Sequence, residues 1–245
     1  MMKRWLVPIF AILAPVTYAT ASVGTSSDSN VNIDTQMPAL QAAAGNLNPQ
    51  VLKLALDAYN CAKLSGVSKS QTLTIIDYSL PAAQKRMWVF DLASSKLLFN
   101  NVVAHGQGSG SKVSANFFSN QSSTHASSIG LYVTGTTYTG HNGYSLKLKG
   151  LDAGFNDKAE ARSIVVHGAS YVSDQIAKTG QLGRSWGCPA VPQKLAQPII
   201  NTIKDRTLVF AYYPDNAWLK QSKYLNCPAA TLMANNQTVK ANSEA

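Results

Sequence analysis

Residues 163–191 read SIVVHGASYVSDQIAKTGQLGRSWGCPAV, and this stretch is predicted to carry the chemistry of the chain, with the rest as its scaffold. They open with an apolar strand that ends on His167, and they close on a loop that holds Cys188. A thiol is a strong nucleophile only as a thiolate, and a neighbouring imidazole is the usual group that removes its proton near neutral pH. The sequence therefore predicts that Cys188 is a nucleophile and that His167 is its base.

Two glycines and a proline support this pairing. Gly168 is predicted to let the chain turn sharply after the strand, and Gly187 removes a side chain where a substrate must approach the sulfur. Pro189 biases Cys188 towards an extended conformation and has no N–H of its own. Donors for an oxyanion are therefore predicted to be the backbone N–H groups of Gly187 and Cys188.

The spacing of these residues resembles that of a known family. His167, then 17 residues, then Ser185-x-Gly187-Cys188 is similar to the signature of the L,D-transpeptidase (YkuD-type) catalytic domain. Between about residues 104 and 191, the segments AHGQGSG, FFSNQSSTHASSIGLYVTG, GYSLKLKGLDAGFND, RSIVVHGA and GRSWGCPAV resemble the branch found in Gram-negative bacteria. The resemblance implies a mostly β fold, an antiparallel sandwich with a few packed helices.

The motif departs from the commoner family form at two places. Most members have Ser/Thr-His-Gly-Cys, whereas Trp186 replaces the histidine here, so His167 is predicted to be the sole base. Many members follow the cysteine with an aliphatic residue and then Arg or Asn, whereas Pro189 is followed by alanine and valine here. Arg184 and Arg162 are the nearest candidates to hold the substrate instead.

The resemblance implies acyl transfer through a thioester, without a metal or an organic cofactor. His167 would take the proton of Cys188, with the Gly168 carbonyl orienting the imidazole, and the thiolate would attack a peptidoglycan tetrapeptide stem and release D-Ala. An amine of a second stem or of an acceptor protein would then take the acyl group. Two alternatives stay open: hydrolysis of stem peptides, and a catalytically silent protein that binds the cell wall.

Further site residues follow from the same resemblance. Ser128, Tyr132 and Tyr144 fall where the family forms the wall of the substrate cleft, and His105 is a candidate to line it. Ser185 is predicted to order the loop, and Trp186 either stacks on the cleft or packs in the core. Ordinary strand, turn and loop roles remain the alternative for the wall residues. The candidate substrate-binding residues are thus Arg184, Tyr132, Ser128, Tyr144, His105 and Trp186.

The N-terminus predicts export. A short basic segment precedes an apolar run, residues 5–16, that is broken by proline and too short to span a bilayer, and small residues follow at 19–21. Residues 1–21 are therefore predicted to be a signal peptide, with the mature protein in the periplasm or cell envelope. A membrane anchor is the alternative.

Composition narrows the choice of partners. Cleavage of a signal peptide removes two of the 21 basic residues, which leaves 19 against 12 acidic residues and a net charge near +7. This balance suits an anionic cell wall, but no basic cluster with interleaved aromatics indicates nucleic acid. The histidines and cysteines lack the spacing of metal ligands, so no metal site is predicted. The oligomeric state is not determined by the sequence.

Three cysteines in an exported chain leave two that can pair beside one reactive thiol. A disulfide between Cys61 and Cys227 is predicted, and two small buried apolar residues are the alternative. This disulfide would join the two ends of the fold.

Periodicity divides the rest of the chain into four parts. Residues 22–47 are predicted to be a flexible leader, 48–70 a helix packed on the core, 71–215 the catalytic domain and 216–245 a polar tail. Strands are predicted at 73–78, 86–91, 96–104, 130–134, 144–149, 163–167 and 206–213, and a helix at 192–204.

Overall fold

One eight-stranded sheet forms the centre of residues 33–227, the part of the chain that the computed structural model describes. The strands are β1 Thr72–Asp77, β2 Met87–Asp91, β3 Lys96–Asn101, β4 Gly130–Gly140, β5 Gly143–Gly150, β6 Val165–Ala169, β7 Ala190–Pro192 and β8 Leu208–Tyr212. Their order in the sheet is β3-β2-β1-β8-β4-β5-β6-β7. Only the β1–β8 and β6–β7 pairings are parallel within this range. The predicted mostly β, mainly antiparallel fold is confirmed.

The sheet curves until its two edges meet. Strand β3 lies at one edge and β7 at the other, yet the Ala104 N–H, three residues beyond β3, donates a hydrogen bond to the Ala190 carbonyl of β7 at 2.8 Å. A flat sheet would hold these edges seven strand spacings apart, so the bond requires strong curvature. The curvature brings the segment after β3 alongside the loop that carries Cys188.

Helices pack on both faces of this sheet. They are α1 Ile33–Ala44, α2 Pro49–Leu64, α3 Asp174–Ala177, α4 Ala196–Ile203 and α5 Asn216–Gln221. Helix α2 begins after Asn48, whose side chain accepts a hydrogen bond from the Gln50 N–H at 2.8 Å. Neighbouring residues of a strand point to opposite faces, so Ile75 packs in the core that holds α2, and Ile76 packs in the core that holds α4.

Part of the predicted flexible leader is helical. Residues 33–44 form α1, and Leu40 and Ala44 are buried in the same core as α2. The Trp88 indole N–H of β2 donates a hydrogen bond to the Ala44 carbonyl at 2.9 Å. The prediction of a flexible leader is wrong for these residues, because a few apolar side chains at helical spacing find partners on the sheet that composition alone does not reveal.

The first part of the predicted polar tail is also packed. Trp218 of α5 is fully buried in the α2 core, and the Asp215 side chain caps the helix by accepting from the Trp218 N–H at 2.8 Å. Cys61 of α2 and Cys227 form a disulfide with a Cα–Cα distance of 5.9 Å, so that prediction is confirmed. The chain is therefore fixed to the core as far as residue 227.

The two ends of the chain are outside the described residues. The predicted signal peptide at 1–21, the first eleven residues of the leader after it and the last part of the tail all fall there. Among residues 33–227, none of the helices has the length and apolar character required to cross a bilayer.

Candidate active site

A short turn from Ser185 to Cys188 precedes β7 and carries the predicted nucleophile. The Ser185 hydroxyl donates a hydrogen bond to the Cys188 carbonyl at 2.6 Å and accepts one from the Gly187 N–H at 3.1 Å. These two bonds close the turn on itself. Ser185 therefore orders the loop from a buried position and does not present its hydroxyl to solvent.

Gly187 has a conformation that requires glycine. Its φ is +111°, a region that L side chains rarely adopt. A Cβ here would lie 2.7 Å from the Ala126 carbonyl oxygen and 2.9 Å from the Ile164 Cδ1. The close approach lets the turn pack between the strand before His167 and the loop at Ala126.

The segment after β3 holds this turn from the other side. The Ser185 N–H donates to the His105 carbonyl at 3.0 Å, and the Ser185 carbonyl accepts from the Gln107 N–H at 2.7 Å. The Arg184 guanidinium donates to the Gly110 carbonyl and, at 3.3 Å, to the Gln107 carbonyl. Arg184 thus fixes a loop, which leaves fewer of its donors for the substrate role predicted for it.

His105 does not line a cleft, because it is fully buried against the buried Arg86 guanidinium. Arg86 has no acceptor atom, so its Nη2 donates to His105 Nδ1 at 2.8 Å, and His105 Nε2–H donates to the Ser111 carbonyl at 2.9 Å. Burial, followed by the Arg86 charge, lowers the pKa of His105 to about 4. His105 is therefore a neutral structural residue, and its predicted place in the cleft is wrong.

Arg86 anchors the same segment. Its guanidinium also donates to the Val103 carbonyl through Nε at 3.1 Å and to the Leu80 carbonyl at 2.8 Å. This role was not predicted, since a lone arginine at the start of an apolar strand usually faces solvent.

The predicted base lies on β6, next to β7. His167 pairs in register with Ala190, and its Nδ1 is 2.9 Å from the Gly168 carbonyl oxygen. A carbonyl oxygen only accepts, so Nδ1 carries the hydrogen and Nε2 keeps its lone pair in the neutral ring. Burial lowers the pKa of His167 below its ordinary value, which favours this neutral form.

Gly168 has a different role from the predicted turn. It lies inside β6, and the strand continues to Ala169. A Cβ at Gly168 would lie 2.7 Å from Ala196 Cβ, at the start of α4. The prediction of a sharp turn at Gly168 is wrong, since close packing of the helix on the strand explains this glycine.

The Cys188 thiol is nearly buried, with 9% of the residue exposed. The Val165 N–H donates to its Sγ at 3.4 Å, and its S–H donates to the Ser163 carbonyl at 3.7 Å. Neither bond involves His167, and no other hydrogen bond to Sγ is found among residues 33–227. Burial raises the pKa of the Cys188 thiol, although the Val165 N–H and the Arg162 charge oppose that effect. The resting thiol is therefore neutral at neutral pH.

Of the two predicted oxyanion donors, one N–H group is already hydrogen-bonded and the other is not. The Gly187 N–H is occupied by the Ser185 hydroxyl, so that part of the prediction is wrong for this conformation. The Cys188 N–H makes no hydrogen bond to any residue in the described range 33–227. This N–H is therefore free to donate to an oxyanion, and this part of the prediction stays a prediction.

An open cleft of about 420 Å³ reaches the residues that contact the thiol. It is lined by Tyr138, Lys147, Leu148, Glu160, Ser163, Ile164 and Val165. None of these residues was predicted from the sequence to bind substrate, because exposed lysine and glutamate side chains on a strand and a turn carry no local signal of function. The cleft volume falls within the range of about 300–1,000 Å³ typical of ligand sites.

The predicted wall residues lie elsewhere. Tyr132 and Ser128 are buried, and the Tyr132 hydroxyl donates to the Ser128 carbonyl at 2.9 Å. Both line a cavity beside Gly187 of about 10 Å³, which is room for about one water. The Tyr144 hydroxyl donates to the Asn201 side chain at 3.0 Å. The structure therefore does not place these three residues on the open cleft.

Arg162 holds together the loops near Cys188. Its guanidinium donates to the Ser119 carbonyl at 2.7 Å, the Ala126 carbonyl at 2.6 Å and the Ser128 hydroxyl. Its charge is close enough to lower the pKa of Cys188. Arg162 therefore combines a structural role in the loop with an electrostatic effect on the thiol.

Trp186 is 70% exposed, so it does not pack in the core. Its ring stacks on the His125 ring with 4.6 Å between centroids and 6° between planes. The Gln107 side-chain amide lies 2.9 Å from His125 Nδ1. His125 thus belongs to the surface of the cysteine loop. Among residues 33–227, no three His, Cys, Asp or Glu side chains cluster in a way that would hold a metal ion.

Comparison with known proteins identifies one family whose model matches this chain. The family model for the L,D-transpeptidase catalytic domain matches residues 43–212. The curated proteins contain no match. Among solved structures, the helical cell shape determining protein Pgp2 from Campylobacter jejuni is 13% identical, with 76% of this chain and 63% of that chain covered and a TM-score of 0.41.

Two mycobacterial structures are similar at a lower level. An L,D-transpeptidase from Mycobacterium smegmatis is 9% identical, with 59% of each chain covered and a TM-score of 0.37. L,D-transpeptidase 3 from Mycobacterium tuberculosis is 10% identical, with 58% of this chain and 61% of that chain covered and a TM-score of 0.37. The chain thus spans about three fifths of the length of the solved structures it matches.

Substitution of Gly187 by alanine should destabilise the cysteine turn. The positive φ and the contact with the Ala126 carbonyl both oppose a Cβ, and together they should lower the free energy of unfolding by about 3 kcal/mol. Gly180 has a φ of +79° with nothing within 4 Å of its Cβ position, so Gly180→Ala is the matched control and should cost about 1 kcal/mol. Urea unfolding measures both values. Equal losses would mean that the contact at Gly187 is unimportant.

Proposed function

Because the chain belongs to the family of L,D-transpeptidase catalytic domains, we propose that it is a cysteine-dependent acyltransferase of peptidoglycan tetrapeptide stems. Cys188 is the nucleophile and His167 the base. The observation that carries the proposal is the hydrogen bond from His167 Nδ1 to the Gly168 carbonyl, which keeps Nε2 unprotonated on the strand next to the cysteine turn. The Ser-Trp-Gly-Cys-Pro motif is the basis for assigning the chain to the Gram-negative branch.

The shifted pKa values indicate how the reaction starts. Burial favours the neutral thiol of Cys188 and the neutral ring of His167, so the resting site is not a thiolate–imidazolium pair. Proton transfer from Sγ to Nε2 must therefore accompany attack on the substrate carbonyl, as general-base catalysis. A side-chain rotation that brings Sγ towards Nε2 would exchange the Ser163 contact for the imidazole.

The first half of the reaction forms the thioester. Cys188 Sγ bonds to the carbonyl carbon of the third stem residue, and the oxyanion that develops accepts a hydrogen bond from the Cys188 N–H. When the tetrahedral intermediate collapses, the C–N bond to the terminal D-Ala breaks. The leaving amine takes the proton from His167 Nε2, which returns the ring to its neutral form.

The second half consumes the thioester. An amine from a second stem attacks the same carbonyl, gives its proton to His167 and forms a new amide, while the Cys188 thiolate leaves and regains a proton. Attack by the amine of a protein would attach that protein to the wall, and attack by water would give a carboxylate. Transpeptidation between stems is the reaction that we propose.

Export to the cell envelope is part of the proposal. The Cys61–Cys227 disulfide favours an oxidising compartment, where such bonds form and persist. The excess of basic residues suits the anionic wall.

The test of this function is product analysis with disaccharide tetrapeptide as both donor and acceptor. The wild-type protein should release D-Ala and form a cross-linked dimer, and Cys188→Ala should do neither. His167→Ala should lower the rate about 10²- to 10⁴-fold, whereas His141→Ala, in an exposed loop, should keep it. D-Ala without a dimer would indicate hydrolysis, and an unchanged substrate that binds equally to both proteins would indicate a wall-binding protein.

The pH dependence should report the buried imidazole. Burial lowers the pKa of His167 from its ordinary value of 6.5, so the neutral base persists at pH values where an exposed histidine is charged. Activity is lost only as the pH falls through this lowered pKa. The acid limb of kcat/KM, which reports the free enzyme, should therefore have its midpoint below 6.5. A midpoint above that value would contradict the assignment of a neutral buried base.

A further inference from the structure

Ser127, in the loop before β4, is buried beside the cysteine turn, and its hydroxyl bridges two segments of backbone. The Gly106 N–H donates to Ser127 Oγ at 3.0 Å, and Oγ is also 3.0 Å from the Gly187 carbonyl oxygen. An N–H group can only donate and a carbonyl oxygen can only accept, so the single hydroxyl hydrogen points to Gly187. The direction of both hydrogen bonds is therefore determined.

The backbone of Ser127 holds this hydroxyl in place. Its N–H donates to Ser109 Oγ at 2.8 Å, and its carbonyl accepts from the Ser119 N–H at 3.0 Å. On the other side of the bridge, Gly106 approaches the turn so closely that a Cβ there would lie 2.7 Å from the Gly187 Cα. With its N–H, carbonyl and hydroxyl all bonded, Ser127 has a fixed position relative to the turn.

The hydrogen bond to Gly187 orients a whole peptide group. The Gly187 carbonyl and the Cys188 N–H belong to the same peptide plane, and none of the peptide bonds between residues 33 and 227 is cis. In a trans peptide the carbonyl and the N–H point in opposite directions. The Cys188 N–H is therefore directed away from Ser127, and rotation of this peptide group would break the bond from the Ser127 hydroxyl.

The Cys188 N–H is a buried donor without a partner. Only 9% of Cys188 is exposed, yet this N–H makes no hydrogen bond to any of residues 33–227. Buried backbone N–H groups are nearly always paired, because leaving one unpaired costs free energy. The nearby N–H groups of Gly187 and Val165 are both used, by the Ser185 hydroxyl and by Sγ. A fixed, unused donor beside the reactive sulfur is what an oxyanion requires.

We propose that Ser127 is a positioning residue for acyl transfer: its hydroxyl holds the Gly187 carbonyl and thereby directs the Cys188 N–H towards the oxyanion. The inference rests on the proposed function and names a residue outside the cysteine motif that prepares its oxyanion donor. Ser127 acts through the peptide group, and its hydroxyl keeps its proton in both halves of the reaction.

Two reactions of the Cys188 thiol separate this role from simple support of the turn. Acylation by a tetrapeptide donor without an acceptor passes through an oxyanion, whereas alkylation by iodoacetamide displaces iodide from a saturated carbon and forms none. Both reactions need the thiolate and access to the sulfur. Cys61 and Cys227 are joined in a disulfide, so Cys188 is the free thiol, and intact mass follows both reactions.

The variants are Ser127→Ala and, as the matched control, Ser68→Ala. Ser68 is also buried, and its hydroxyl also bridges two backbone groups, because it accepts from the Ser70 N–H at 3.1 Å and donates to the Arg206 carbonyl. Each alanine removes one buried bridging hydroxyl, but Ser68 makes no hydrogen bond to the cysteine turn.

The expected result is a selective loss of acylation. Ser127→Ala should lower the acylation rate about 10- to 100-fold at saturating donor, less than deletion of an oxyanion donor, because the N–H is present but no longer held. The alkylation rate, KM and the midpoint of the acid limb should change little, since His167 keeps its contacts. Ser68→Ala should keep both rates, with a loss of stability towards urea similar to that of Ser127→Ala.

Equal slowing of acylation and alkylation by Ser127→Ala would overturn the inference, because Ser127 would then only support the turn. Acylation of Ser127→Ala at the wild-type rate would overturn it as well. Failure of the proposed function looks different, since the donor would then not acylate wild-type Cys188 although iodoacetamide alkylates it.

A second measurement needs no variant. The Cys188 thiol adds across the carbonyl of a peptide aldehyde that ends at the third stem residue, which gives a hemithioacetal whose oxygen takes the place of the oxyanion. In the crystal structure of this adduct, that oxygen should lie about 2.7–3.1 Å from the Cys188 nitrogen, with the Ser127–Gly187 bond kept. An oxygen that does not contact this N–H, or a broken Ser127–Gly187 bond, contradicts the inference.

Discussion

The pairing of residues 104–107 with residues 185–190 is the constraint on which the site depends. The segment after β3 donates from Ala104 to Ala190, accepts from Ser185 and donates to Ser185 again through Gln107. These bonds join the two edges of the sheet, so they require its curvature and fix the cysteine turn at the same time. Without them the turn would be a free loop before a three-residue edge strand.

A buried cation anchors this pairing. Arg86 donates to the Leu80 and Val103 carbonyls and to His105, whose own carbonyl accepts the Ser185 N–H. Burying a charge without such partners would cost several kcal/mol, so the guanidinium favours the one arrangement that satisfies its donors. Burial, and then the same contact with the Arg86 charge, lower the pKa of His105 and favour its neutral state. A polar network far from solvent thus determines where Cys188 lies.

Seven of the eight strands were predicted because they carry apolar side chains for two cores, as Ile75 and Ile76 do. The three-residue strand β7 was not predicted. Helix α1 was not predicted. Leu40 and Ala44 are too few apolar residues to indicate a packed helix by themselves, and their partners, Trp88 and the sheet, are distant in the sequence. The turn predicted at Gly168 was wrong because a glycine after an apolar strand is compatible with two structures. It can permit a turn, or it can make room for a helix that packs on the strand.

The residues of the site also fall into two groups, those that the sequence predicts and those that it does not. Site roles are predicted for His167, Gly187 and Cys188 because few residue types perform such chemistry and because their spacing matches a family. The cleft was not, since Lys147 and Glu160 are ordinary exposed residues until β5 and the turn before β6 bring them to the same cavity. Conversely, Arg184, Ser128 and Tyr132 were expected in the cleft from their position, but the loops around the cysteine use their hydrogen bonds.

The most direct test of the account is the intact mass of the protein after a brief reaction with a tetrapeptide donor in the absence of an acceptor, followed by peptide mapping. The account predicts one covalent adduct, with the mass of the stem minus D-Ala, on the peptide that contains Cys188. An adduct on another residue, or D-Ala release by the Cys188→Ala variant, would contradict it.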